Sequence, residues 1–319
     1  MIRTRDFVET QEGLIFAVVS PSLSKERVHA YLRYFPSVNG ERSKDKKRYT
    51  KVTSTQQSIK YLKKYYPFYV DNNKQYIPNN KIKIIYRPES RLKEILDKPA
   101  DNFENNIKQI SELFCDIPTK KKGITGSVLI NLHNSNSDID FVIYGIKNHS
   151  VSRKILKKLI DSTKIDALTD KQWRLIYNKR YPFEKTLTFN EFLWHEKRKN
   201  HRASYKGTIL DILLVQDSQK INLQENKAVC SKGIITLKAN VLESSMAFDS
   251  PAIYKVKFEN GSIGKIQSYT HTYAGQAFKG EKVEARGIYN IMSDQEPLLI
   301  IGTTREAEGE YMKVLHGKE

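Results

Sequence analysis

GITGSVLINLHNSNSDIDFVIYG, residues 123–145, is the stretch on which the reading of this chain turns. Its second half alternates: Asp138 and Asp140 are separated by Ile139 and followed by Phe141. On a strand, residues i and i+2 share a face, so both carboxylates point one way while Ile139 and Phe141 enter a core. Hard divalent cations demand oxygen ligands, and two carboxylates on one face can hold a pair of ions roughly 3.5 to 4 Å apart that clamps the oxygens of a displacement at phosphorus. Upstream, Gly126 and Ser127 follow Ile124 and are separated from Asp138 by ten residues. They open a short helical stretch and suit phosphate: glycine lets the backbone come close, serine offers a hydroxyl, and the amides of a helix start favour negative charge. The intervening HNSNS has the Asn and Ser content of a turn.

A third carboxylate on a neighbouring strand would complete such a cluster. Asp211 qualifies, because it interrupts the apolar run TILDILLV (208–215), and a charge among such residues is costly unless paired or bound to a metal. The surrounding block alternates helices and strands. Phe103, Ile107, Ile110, Leu113 and Phe114 form the stripe of a helix over 101–114, which Pro118 ends, and further helices are expected near 152–160, 170–179 and 190–199.

These residues resemble the DNA polymerase β-type nucleotidyltransferase superfamily, whose motif is a Gly-Ser or Gly-Gly pair, a gap of about nine to thirteen residues, Asp-x-Asp or Asp-x-Glu between apolar residues, and a later acidic residue on a strand. Thr125-Gly126-Ser127, the ten-residue gap, Asp138-Ile139-Asp140 and Asp211 match it, over roughly residues 101 to 217. The resemblance implies a metal-dependent transfer of a nucleoside monophosphate from an NTP to an acceptor hydroxyl, with release of pyrophosphate. It implies that Gly126 and Ser127 bind triphosphate, that Asp138 and Asp140 bind both Mg²⁺ (or Mn²⁺) ions, and that Asp211 binds one and activates the acceptor. Thr125 stands where many members have a large apolar residue, and Asn131-Leu132 where many have Arg-Gly, so triphosphate contacts are expected to differ. More loosely, the flanks are similar to an archaeal group of nucleotidyltransferases with extra domains.

The expected fold is α/β: an N-terminal α/β region (1–100), a nucleotidyltransferase domain of α+β type (101–228) and a small all-β domain (229–319), with an OB-like barrel as first reading. In the N-terminal region RDFVET, a turn at Gln11–Gly13 and LIFAVVS read as a hairpin, and KIKIIY (81–86) as a strand followed by a turn at Pro88. A helix is expected from an N-cap at Ser24 through Val28, Tyr31, Leu32 and Phe35 to Pro36, then a polar connection over 37–51, and a second helix over 58–66. Alternation in YKVKF and KVEAR marks the β-rich end.

The formal charge of +18 attracts polyanions, and its placement is informative: from Ser231 to Glu319 there are eleven basic and eleven acidic residues, so the excess lies in the first 230. This points to RNA or tRNA as partner, against the plainer reading of a lysine-rich solvated surface. Two cysteines without ligand spacing argue against a disulfide framework or zinc site, and with neither signal peptide nor membrane span the expected compartment is a reducing cytoplasm. Oligomeric state is not legible.

Weaker signals compete with plain packing. Arg202 and Lys206, near the run from His195 to Arg202, are the preferred phosphate-neutralising cations, while the run itself also reads as the solvated end of a helix. Tyr61, Tyr65, Tyr66 and Tyr69, interleaved with Lys60, Lys63 and Lys64, have the composition of a base-stacking surface, or of ordinary half-buried tyrosines. SYTHTYAG (268–275) reads as a strand with one exposed histidine. Two alternatives stand beside the enzyme reading: a catalytically inactive nucleic-acid-binding scaffold, and a nucleotidyltransferase acting on a protein or small molecule.

Overall fold

A computed structural model describes residues 2–19, 26–182, 184–216, 228–304 and 306–315. They group into two compact units: one holds the chain through Ala167 together with the strands that follow His201, and the other joins Leu168–Asn200 to the β-rich C-terminal region. No helix is long and apolar enough to cross a membrane among the described residues.

The first unit opens with the expected hairpin, β1 (Phe7–Thr10) and β2 (Ile15–Val18). The helix expected over 24–35 is instead β3 (Arg27–Pro36), while its proposed cap, Ser24, lies outside the described residues. Val28, Ala30 and Leu32 are buried on one face at a period of two that outweighs the coincidental spacing of 28, 31, 32 and 35, and a register shift against β2 at Arg33 puts the buried Tyr34 in the core of the other face. The polar connection is also a hairpin, β4 (Arg42–Lys44) and β5 (Lys47–Lys51), turning on Asp45 and Lys46, both in the left-handed region. Then come α1 (Thr55–Tyr65), capped by Ser54, and β6 (Val70–Asp71), β7 (Lys74–Pro78) and β8 (Ile82–Tyr86). The sheet runs β4-β5-β3-β2-β1-β8, with β7 also on β3.

Each face of this sheet has its own cover. Val8, Phe16, Leu32, Leu62 and Tyr69 form one core beneath α1. On the other face Phe7, Ile15, Tyr34 and Tyr49 pack against Leu129, Ile130 and Leu132, so the sheet rests on the segment that follows Gly126 and Ser127.

Pro88 does not mark a turn. It begins α2 (Pro88–Asp97), a position where its missing N–H costs nothing. Next are α3 (Asn102–Leu113), capped by Asp101, β9 (Lys122–Ile124), α4 (Gly126–Leu129), β10 (Ile139–Tyr144) and α5 (Ile146–Asp161). After α6 (Asp170–Arg180) and α7 (Phe189–Lys199), each started by a capping box at Thr169 and Thr188, the chain returns as β11 (Arg202–Tyr205) and β12 (Thr208–Val215). The order β11-β12-β10-β9 makes a four-stranded sheet in which β10 and β12 are parallel. Ile107 and Ile110 of α3, Phe114 at its C-cap and Leu156 of α5 bury Ile139, Phe141, Ile143, Leu210 and Ile212.

In the second unit the strands are β13 (Ala228–Glu243), β14 (Ala252–Phe258), β15 (Ile263–Ser268), β16 (Lys282–Met292), β17 (Pro297–Ile301) and β18 (Tyr311–Val314). Because β13 pairs with both β14 and β16, five of them close into a barrel, β13-β14-β15-β17-β16, whose β15 and β17 are parallel, with β18 added on β16. SYTHTYAG is only partly strand: His271–Tyr273 is a 3₁₀ turn with His271 half-buried and Thr272 and Tyr273 buried.

Candidate active site

Asp138 immediately precedes β10 and Asp140 lies within it, while Ile139 and Phe141 are fully buried on the core side. Asp140 is the direct register partner of Asp211, which places two carboxylates on adjacent parallel strands about 4.8 Å apart at the backbone. The turn before them is pinned by Asn134, whose N–H donates to Ser137 Oγ at 2.9 Å.

Burial first, and then the neighbouring charges of Asp211 and Asp138, push the Asp140 carboxyl up to about 6 against the opposing pull of Arg5 and Arg33. Like charge gathered around the buried Asp140 is costly unless cations offset it. Among the described residues no three His, Cys, Asp or Glu side chains stand as a finished metal cage. Mg²⁺ seldom uses one, since it binds through one or two carboxylates together with water and substrate phosphates. The donor set, all carboxylate oxygen, suits a hard cation.

Gly126 is forced on two counts. Its φ is 69°, and a Cβ there would overlap the Asp140 carboxylate. The turn is tied to the metal strand by Thr125, whose N–H donates to the Asp140 carbonyl at 2.9 Å and whose hydroxyl donates to the Arg5 carbonyl at 2.7 Å. The helix that Gly126 and Ser127 open is a single four-residue turn, so little macrodipole stands behind them; the close approach of backbone to Asp140 is the stronger feature.

Arg202 and Lys206 part company. Arg202 is buried opposite Asp211 on β11, and its Nε donates to Asp211 Oδ1. Lys206 sits at the tip of the β11–β12 hairpin, about 10 Å further along it, with Nζ on Gln109 Oε1 at 2.8 Å. Of the run from His195 to Arg202, Arg202 alone is paired with Asp211, and Lys197 is exposed. His195, Glu196 and Lys199 are buried within the second unit, Lys199 holding Glu196 at 2.5 Å and the Thr272 carbonyl at 2.9 Å. Of the tyrosines, Tyr69 is buried and Tyr61 stacks on Phe35 at 3.9 Å, whereas Tyr65 is exposed beneath Lys64.

Sequence reasoning missed the N-terminal residues near the cluster. Arg5 and Arg33 act on Asp140, and Arg42 donates to the Leu132 carbonyl at 3.2 Å and to Ser137 Oγ at 3.3 Å. Only pairing between distant segments brings them there; the one local hint is an arginine inside the apolar alternation of β3.

The profile of the nucleotidyltransferase domain family matches residues 107–201, which contain Gly126, Ser127, Asp138 and Asp140 and end before Asp211. The chain is 35% identical to an uncharacterized protein of Methanocaldococcus jannaschii over 337 aligned positions, covering 98% of this chain and 99% of that protein. No solved structure matches.

Proposed function

Because this chain belongs to the nucleotidyltransferase domain family of the polymerase β type, and so is a transferase of nucleotidyl groups, we propose that it moves a nucleoside monophosphate from an NTP to an acceptor hydroxyl. The observation that carries this reading is the register pairing of buried Asp140 with Asp211, next to Asp138 and against Gly126.

The acceptor oxygen attacks the α-phosphorus, the bond from that phosphorus to the bridging oxygen breaks, and pyrophosphate leaves. Asp211, oriented by Arg202, accepts the hydroxyl proton on the carboxylate oxygen that Arg202 Nε does not hold. Gly126 and Ser127 receive the phosphates on the side of the cluster where only a hydrogen atom at Cα leaves room. Asp138, Asp140 and Asp211 would hold Mg²⁺ or Mn²⁺, which supplies charge stabilisation at the phosphate oxygens. Arg202 lies within reach of that charge; Lys206, tied to Gln109, takes no part in this proposal.

RNA, tRNA included, is the acceptor best suited to a basic excess confined to the first 230 residues. The strand order of the C-terminal barrel, with its parallel β15–β17 pair, favours the OB-like reading for that region. Incubation of α-labelled ATP, CTP, GTP and UTP with total RNA, isolated tRNA and the protein itself tests the proposal. Label in RNA that requires divalent metal and both Asp138 and Asp140 supports it. Label only on protein would move the acceptor, and salt-sensitive RNA binding without any label would favour the inactive scaffold.

A further inference from the structure

The matched domain family covers 107–201, yet the cluster has a wall built from residues far upstream. Tyr34 of β3 is buried against Leu129, Ile130 and Leu132, directly after the Gly126-Ser127 turn. Next to Tyr34, Arg33 lies close enough for its charge to act on both Asp140 and the Tyr34 hydroxyl. Arg42 of β4 reaches the loop between the Gly-Ser turn and Asp138 through its bonds to the Leu132 carbonyl and Ser137 Oγ.

Resting on the nucleotidyl-transfer reading, we propose that the N-terminal sheet is part of the active site and that Arg33 and Arg42 bind the triphosphate tail of the incoming nucleotide. Both arginines keep a buried Nε that makes no hydrogen bond among the described residues. A buried donor left unmatched is unfavourable, and a guanidinium whose charge reaches a buried carboxylate, as that of Arg33 reaches Asp140, would ordinarily close an ion pair with it. Among the described residues neither does; Arg42 spends Nη1 on the Leu132 carbonyl and Ser137 Oγ, which fixes its guanidinium at the loop while its Nε, like that of Arg33, is left for an anion rich in oxygen. Phosphate answers that geometry better than any other common ligand, because guanidinium presents paired N–H groups to paired oxygens.

The side on which they lie separates nucleotide from acceptor. In the sheet order β11-β12-β10-β9, Asp211 and Arg202 lie toward β11, while Gly126 follows β9 on the other side of Asp140. Arg42 joins the loop on the Gly126 side, which the proposed function gives to the triphosphate.

The test compares wild type with Arg33→Ala, Arg42→Ala and Arg33→Lys, each first checked for an unchanged melting temperature. Dissociation constants are measured for the four nucleoside triphosphates, their monophosphates and an RNA oligonucleotide, and KM and kcat are taken for the nucleotide that labels. The expected result is triphosphate binding and KM weakened about 10- to 100-fold by either alanine, with monophosphate and RNA binding little changed and Arg33→Lys intermediate. Should Arg42→Ala fail to fold, Arg33→Ala alone carries the decision. Unchanged triphosphate affinity in a folded Arg33→Ala overturns the inference, and so does a loss confined to RNA, which would assign the arginines to the acceptor backbone. If wild type incorporates no label at all, it is the nucleotidyl-transfer reading that fails. If it labels in an Asp140-dependent way while the arginine variants keep their KM, only the role of Arg33 and Arg42 fails.

Discussion

Asp140 bears opposing demands, since the carboxylate that suits catalysis is raised to about 6 by burial and by Asp211 and Asp138. Its ordinary value in an unfolded chain is 3.8, so the folded state is undisturbed below that pH, loses stability as pH rises through the window from 3.8 to about 6, and bears the full cost above it. That difference corresponds to at most about 3 kcal/mol. Asp140→Asn should therefore raise the melting temperature in chelator at pH 7.5, by about 5 °C, with the gain vanishing near pH 4, while abolishing activity; calorimetry across pH checks it. Gly126→Ala should do the reverse. It forces an L side chain to a φ of 69° at a cost of about 1 to 2 kcal/mol and drives its methyl into the Asp140 carboxylate, so both melting temperature and kcat should fall. The three aspartates were legible because alternation and burial are local properties of a short sequence. Arg33 and Arg42 were not, since nothing in their neighbourhood says that β3 and β4 come to lie against the segment after Gly126.

At the scale of elements, α7 shows how a charged run becomes structure. His195 is buried: its Nδ1 donates to the Glu191 carbonyl at 2.7 Å, and its Nε2 accepts from the Val314 N–H at 3.0 Å. The ring is neutral, burial holds its pKa down at about 4, and protonation would set two donors face to face. Stability is full above the ordinary value of 6.5 and is lost as pH falls through the range from 6.5 to about 4. His195→Gln, which keeps a donor and an acceptor, should flatten that slope in urea titrations followed at pH 7 and pH 4.5. The sequence reading of this run considered solvent or phosphate, because its charges are visible and its packing partners, β18 and the 3₁₀ turn at Thr272, lie over seventy residues away. The misreading of β3 has another cause: in a strand of ten residues, 28, 31, 32 and 35 satisfy helical spacing by accident, and only burial of 28, 30 and 32 on one face distinguishes the two periods. The hairpin over 42–51 has no apolar alternation to read, and Pro88 punctuates a helix start as readily as a turn.

For the whole molecule, the basic excess in the first 230 residues sets an electrostatic expectation distinct from catalysis. RNA affinity should fall by about 10-fold or more between 50 and 200 mM salt, and removing Asp138 and Asp140 should leave that dependence intact, as filter binding would show. The central claim concerns the fate of the phosphates. Nucleotidyl transfer retains the α-phosphate on the acceptor and releases the other two as pyrophosphate, so the most direct measurement follows α- and γ-labelled NTP in parallel, with Mg²⁺ or Mn²⁺ and then with chelator. The account predicts α-label on RNA, an equal amount of γ-label in pyrophosphate, and loss of both in chelator and in Asp140→Asn. Transfer of γ-label to the acceptor, or α-label incorporation that survives Asp140→Asn, would contradict it.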